Sequence, residues 1–186
     1  MHNKKEYLPK VSRKLAFILR HKPDQFGIFM NTEGWCSVSD IIKKGTLGIT
    51  RNDLYRLVET DSKSRYEMSF DKNYIRACQG HSTPFVHMTF KKLTLEQIPE
   101  FLFHGTSISN LNKIMKSKIS SMNRQYVHLS PDIQTAIKVG SRHGKVVVIK
   151  IDAFALIRHQ DVFLSNNGVF LTHDIERQFI METIYP

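Results

Sequence analysis

Five polar clusters in this sequence stand outside its apolar periodicity: Arg20-His21; Arg76 with Gln79-Gly80-His81-Ser82; His104-Gly105-Thr106; Arg124 with Val127-His128-Leu129-Ser130; and Gly140-Ser141-Arg142-His143-Gly144. A guanidinium is permanently charged and meets phosphate oxygens through a planar fork of donors, and an imidazole donates a hydrogen bond or moves a proton near neutrality. Arginines set beside histidines, glycines and small hydroxyl residues therefore point to the handling of phosphate groups. Each cluster alone also has a plain structural reading. An Arg-His pair at a helix end is favoured by the dipole, and Gly-His-Ser is ordinary turn chemistry. A histidine after Phe101-Leu102-Phe103 can be a satisfied strand-end residue, Ser130 a helix cap and Gly140 a helix-ending glycine. Nine histidines and two cysteines, Cys36 and Cys78, show neither HExxH nor paired CxxC spacing, so no metal site is expected.

The elements that must carry these clusters change style near residue 92. Val11, Leu15, Ile18 and Leu19 recur at helical spacing and predict a first helix that stops before Pro23, with Arg20 roughly opposite the apolar stripe. A short second helix is expected after Ser37, through Val38, Ile41 and Ile42, closed by Gly45. A third opens at Thr50, with Asp53 three residues on, and runs through Leu54, Leu57 and Val58. Tyr66, Met68 and Phe70 alternate, Asp71-Lys72-Asn73 turns the chain, and 74–78 reads as the returning strand. Three short helices and a hairpin are the order of a winged helix-turn-helix lobe. Beyond residue 92, short apolar strands at 101–103, 126–129, 146–151, 168–171 and 179–184 are separated by two helices, one from about 109 through Leu111, Ile114 and Met115, the other over 130–140. Ser130 is read as the cap of that last helix, Pro131 as its first position and Asp132 as its dipole partner, so that the backbone N–H groups there form a seat for a phosphate or pyrophosphate. The expected fold class is α+β in two lobes, 1–92 and 93–186.

Charge separates the lobes as well. The chain carries a formal +10, and residues 1–92 hold 17 Lys+Arg against 9 Asp+Glu, whereas 93–186 hold 10 against 8. Cations gain free energy by releasing counterions condensed on phosphates, so the first lobe is the one expected to meet a polyanion. Apolar runs such as Val146-Val147-Val148-Ile149 are far too short to span a bilayer, and the polar start Met1-His2-Asn3-Lys4-Lys5-Glu6 is not the apolar stretch of a signal peptide. A cytoplasmic monomer with no membrane partner is expected.

Taken together and in order, the clusters match one family. Leu19-Arg20-His21-Lys22-Pro23, Glu33-Gly34-Trp35, Ile75-Arg76-Ala77-Cys78-Gln79-Gly80-His81-Ser82, Phe103-His104-Gly105-Thr106, Arg124-Gln125-Tyr126-Val127-His128-Leu129-Ser130, Arg142-His143-Gly144 and Asn167-Gly168-Val169-Phe170-Leu171-Thr172 make the chain resemble the Tpt1/KptA RNA 2′-phosphotransferases from residue 12 to about 180. The block 76–82 is the most specific signature. The resemblance implies a winged-helix RNA-binding lobe followed by a strand-rich ADP-ribosyltransferase-like lobe that binds NAD. It also implies an Arg-His-Arg-Arg set around the transferred phosphate, here Arg20, His21, Arg76 and Arg124. Gln79, Gly80, His81 and Ser82 join the RNA side. His104, Gly105, Thr106, Ser130, Gly140, Arg142, Gly144, Asn167 and Gly168 fall on the NAD side. The run Thr172-His173-Asp174-Ile175-Glu176-Arg177 departs from the family's usual Thr-x-x-Val-Pro, so no catalytic carboxylate is nominated there.

By the same resemblance the substrate is RNA with an internal 2′-phosphate, of the kind left at tRNA splice junctions, and NAD is consumed rather than recycled. The RNA 2′-phosphate attacks the anomeric carbon of the nicotinamide ribose and nicotinamide leaves; the ribose 2″-hydroxyl then attacks the phosphate of the ADP-ribosylated RNA. The products are RNA with a free 2′-OH and ADP-ribose 1″,2″-cyclic phosphate. Two other readings stay open at this point: an ADP-ribosyltransferase that modifies terminal phosphates of nucleic acid and stops after the first step, and a winged-helix nucleic-acid-binding module without catalysis. Against the module, the third helix offers two arginines, Arg51 and Arg56, and little base-reading polarity.

Overall fold

A computed structural model describes residues 4–186, and the chain divides into two compact units, Met1–Thr89 and Phe90–Pro186. It is mixed α and β: among the described residues there are six α-helices and several small sheets, each antiparallel.

In the first unit, Val11, Leu15, Ile18 and Leu19 are buried and form the core face of α1 (Lys4–His21), which ends two residues before Pro23. Next come β1 (Cys36–Ser37) and α2 (Val38–Lys43), whose first turn is capped by Ser37 Oγ accepting the Asp40 N–H at 3.2 Å. In the box that opens α3 (Arg51–Glu59), Thr50 Oγ1 accepts the Asp53 N–H at 3.2 Å while Asp53 accepts the Thr50 N–H at 3.1 Å. Strands β2 (Tyr66–Met68) and β3 (Tyr74–Ala77) form the hairpin, and β1 pairs with the outer side of β3. The alternation expected to reach Phe70 stops at Met68. Asp71 accepts the Asn73 N–H at 3.1 Å, and the turn this builds leaves Phe70 wholly exposed.

The second unit runs β4 (Lys91–Lys92), β5 (Phe101–Ser107), α4 (Ile108–Lys116), β6 (Lys118–Ile119), β7 (Val127–Leu129), α5 (Ile133–Gly140), β8 (Val146–Asp152), α6 (Ala153–His159), β9 (Val162–Leu164), β10 (Phe170–Thr172), β11 (Ile175–Glu176) and β12 (Ile180–Ile184). Its sheets are β12-β8-β5, β4-β9-β10-β7 and β11-β6. Leu102, Leu129, Ile149, Ile151, Leu156, Val162 and Ile175 are all but inaccessible and bind these layers into one core. Three helices replace the two expected: α6, opened by Asp152 accepting the Ala155 N–H at 2.8 Å, follows directly on β8. The helix expected from Ser130 starts at Ile133 instead. Ser130 and Phe103 exchange backbone hydrogen bonds of 2.9 and 2.8 Å, which draws Ser130 into strand pairing, and Asp132 becomes the cap, accepting the Thr135 N–H at 2.7 Å. The seat for an anion expected at that helix start is therefore taken by Asp132's own carboxylate. No helix among the described residues is long and apolar enough to cross a membrane.

Candidate functional site

In the first unit, one loop draws together residues far apart in the chain. The segment 78–82 leaves β3 and crosses the end of α1: the Ser82 N–H donates to the Arg20 carbonyl at 2.9 Å, and Ser82 Oγ is hydrogen-bonded to His21 Nδ1 at 2.9 Å. Gly80 has a φ of +87°, and a methyl group built on it would sit 3.6 Å from three atoms of the Arg20 side chain, so the loop lies against the guanidinium. Arg20, placed on the solvent side by sequence pattern, is in consequence half-buried with its Nε inaccessible. Gln79 is buried as well.

Arg76 comes from β3 and is held from three sides. Its Cζ lies 4.3 Å from the centre of the Trp35 ring, a stacked cation–π arrangement. Nε and Nη2 donate to Glu67 Oε2 at 3.1 and 3.0 Å, and Nη1 donates to the Glu33 carbonyl at 3.3 Å. These bonds use three of the five guanidinium N–H donors and fix the plane of the fork. Glu67 belongs to none of the polar clusters of the sequence, although it faces Arg76 directly across the β2–β3 hairpin. Trp35 and Glu33, of the Glu33-Gly34-Trp35 motif, take their part here by position: one as the stacking ring, the other through its backbone carbonyl.

His81 lies behind these cations, 1% exposed, and its Nε2 has no hydrogen-bond partner among the described residues. The ring rests on Gly34, where a methyl group would come within 3.1 Å of Nε2. Burial, and then the charges of Arg20, His21 and Arg76, pull His81 down to about 4, so it is neutral at physiological pH. Cys78, in the same loop, is buried too, and burial followed by the nearby Glu67 carboxylate pushes its thiol up to about 11. The thiol therefore stays protonated near neutrality. The arrangement is thus a pair of guanidiniums and one oriented imidazole over a neutral, inert floor.

The second unit holds the remaining clusters. His104, on β5, donates Nδ1–H to the His128 carbonyl at 3.1 Å, which leaves Nε2 unprotonated in the neutral ring. Gly105 and Gly140 face each other where β5 crosses α5: a methyl group on Gly105 would stand 1.8 Å from the Ala136 carbonyl oxygen, and one on Gly140 2.8 Å from the Thr106 nitrogen. Both glycines thus serve a close approach of two backbones. Thr106 is buried, and its hydroxyl accepts a bond of 3.4 Å from Asn110. Gly144 has φ +121°, a conformation other residues rarely adopt, and directs the chain from a 3-10 turn into β8. Gly168, at φ +77°, closes the β9–β10 turn with its N–H on the Ser165 carbonyl at 2.9 Å, and Asn167 lies in that turn.

Arg124 sits ahead of β7, its Nη1 3.5 Å from His128 Nδ1. Desolvation and then the like charge of Arg142 lower its pKa, but a guanidinium starts so high that it stays charged. Neither arginine pairs with a carboxylate among the described residues. An anion bound near these two cations would relieve the repulsion between them.

Comparison with known proteins places the chain among related sequences. The model of the RNA 2′-phosphotransferase, Tpt1/KptA family matches residues 7–174. The chain is similar to a probable RNA 2′-phosphotransferase of Burkholderia lata, 36% identical with 100% of this chain and 99% of that protein covered. Proteins of the same description from Shigella boydii, 40% identical over 96% of this chain and 97% of theirs, and Pectobacterium atrosepticum, 39% identical over 92% and 96%, are similar as well.

Proposed function

The chain belongs to the Tpt1/KptA family of RNA 2′-phosphotransferases, and from that premise we propose that it moves an internal RNA 2′-phosphate onto the ADP-ribose part of NAD, which it consumes as a co-substrate without a metal. The first unit acts as a winged-helix RNA lobe, a reading supported by its order of α1, β1, α2, α3 and the β2–β3 hairpin. The second acts as an ADP-ribosyltransferase-like lobe, supported by its small antiparallel sheets. The observation that carries the proposal is the loop 78–82 tying Arg20 and His21 together beside Arg76 over a neutral His81.

Arg20 and Arg76 hold the 2′-phosphate, Arg76 in the orientation set by Trp35 and Glu67. His21, with Nδ1 engaged by Ser82, acts through Nε2 as donor to the phosphate or to the departing RNA 2′-oxygen. His104, its tautomer set by His128, orients the nicotinamide ribose by accepting from a hydroxyl. Thr106, being buried, serves that position through Asn110. Arg124 and Arg142 hold anionic oxygens of the dinucleotide, and Arg124 steadies the phosphate in the second step. In the first step a phosphate oxygen bonds to C1″ as the C1″–nitrogen bond breaks and neutral nicotinamide departs. In the second, the 2″-oxygen bonds to phosphorus as the bond to the RNA 2′-oxygen breaks; the 2″-hydroxyl loses its proton and the RNA oxygen takes one up.

The test is to incubate the protein with a short RNA bearing one internal 2′-phosphate, with and without NAD, and weigh RNA and nicotinamide. Loss of the phosphate with NAD alone, matched by nicotinamide release, is expected. Nicotinamide release with RNA left ADP-ribosylated would instead describe an enzyme that stops after the first step, and loss of phosphate without NAD would overturn the reading.

A further inference from the structure

The exposed side of α1 carries a line of residues that leads away from the site above and that, His21 apart, the site does not use. Lys10, Lys14, Phe17 and His21 follow one another at spacings of four, three and four, which sets them on one side of a helix. Lys10 and Lys14 are exposed, and Phe17 is 45% exposed. The Phe17 ring meets the His21 ring at 5.8 Å between centroids and the Phe26 ring edge-on at 6.4 Å. Lys14 Nζ lies 6.0 Å from the centre of Phe26 and donates to the Thr46 carbonyl, so its ammonium is held near the aromatic pair. Residues 8–29 carry Lys10, Arg13, Lys14, Arg20 and Lys22 against a single acid, Asp24. An aromatic ring that the core leaves uncovered, backed by a second ring and lined with cations, has the make-up of a platform for unpaired nucleotides, whose bases stack while their phosphates meet lysines. A duplex would bury its bases from such a ring.

We propose that Phe17 stacks the base of an unpaired nucleotide adjoining the 2′-phosphorylated one, and that Lys14 and Lys10 hold the phosphates that follow it along α1. The inference rests on the reading of His21 as a contact of the 2′-phosphate, because that residue fixes where the line begins. Unpaired RNA flanking the 2′-phosphate is then part of what the enzyme recognises.

A 2′-phosphorylated nucleotide whose 3′-phosphate is capped as a methyl ester, with no adjoining base, and a hexanucleotide containing the same nucleotide are compared by kcat/KM with NAD, and 2-aminopurine replaces each adjoining base of the hexanucleotide in turn to report stacking without NAD. The wild type favours the hexanucleotide and quenches 2-aminopurine at one of the two positions. Phe17→Ala reduces the preference for the hexanucleotide by about tenfold and abolishes the quenching, and Phe17→Trp restores both. Equal kcat/KM for the two lengths in the wild type, no quenching at either position, or a Phe17→Ala loss shared equally by both lengths overturns the platform. If the wild type turns over neither RNA while Phe17-dependent quenching persists, the platform stands and the phosphotransfer reading fails.

Discussion

Arg124 and Arg142 are both exposed, and the like charge of Arg142 adds to desolvation in lowering the Arg124 pKa, an electrostatic cost that a bound anion would relieve. Removing Arg124 is expected to spare nicotinamide release but slow breakdown of the ADP-ribosylated RNA by about a hundredfold or more, the order found for lost donors to a developing charge. Single-turnover mass measurement of Arg124→Ala checks this, and unaltered turnover with no accumulated intermediate contradicts it. His81 makes a different prediction. Its pKa is lowered from 6.5 to about 4, so the unfolded chain binds more protons than the folded one between those values. The stability that neutral His81 confers is present above pH 6.5 and drains as pH falls toward 4, a change of roughly 3 kcal/mol. Urea midpoints measured at steps between these pH values should fall steeply in the wild type and less so in His81→Gln; parallel pH dependences in the two proteins would contradict the assignment.

At the scale of elements, the crossing of β5 over α5 has no room to spare. Gly105→Ala puts a methyl group 1.8 Å from a backbone oxygen that cannot swing away, and a loss of more than about 3 kcal/mol is expected from thermal unfolding, since overpacking against rigid backbone is costly. A variant as stable as the parent would mean the two elements part easily. In the sequence this crossing reads only as two motif glycines, because the contact joins residues 35 apart. Elements with local chemistry are legible: α2 and α3 begin directly after their caps, Ser37 and Thr50, and the β2–β3 turn falls at Asp71-Lys72-Asn73. Two-residue strands such as β1, β6 and β11 carry no period to read. The start of α5 is ambiguous because Ser130, Pro131 and Asp132 all suit a helix start, and only the long-range bridge to Phe103 decides among them. The site shows the same division. Arg20, His21 and Arg76 stand out as types, whereas the burial of His81 depends on Gly34, and Glu67 becomes visible once the hairpin register is known.

At the scale of the whole molecule, a formal +10, concentrated before residue 92, makes RNA capture an electrostatic event. Affinity for a 2′-phosphorylated RNA is expected to fall by about tenfold or more between roughly 50 and 200 mM salt, as release of counterions from three or more phosphates requires. A flat salt dependence would remove the polyanion from the account. The central claim remains that the phosphate is transferred rather than hydrolysed. Following the fate of a ³²P label in the internal 2′-phosphate, with NAD present, tests it most directly. The label should leave the RNA and appear in ADP-ribose 1″,2″-cyclic phosphate; its appearance as inorganic phosphate, or its retention on RNA while nicotinamide is released, would contradict the account.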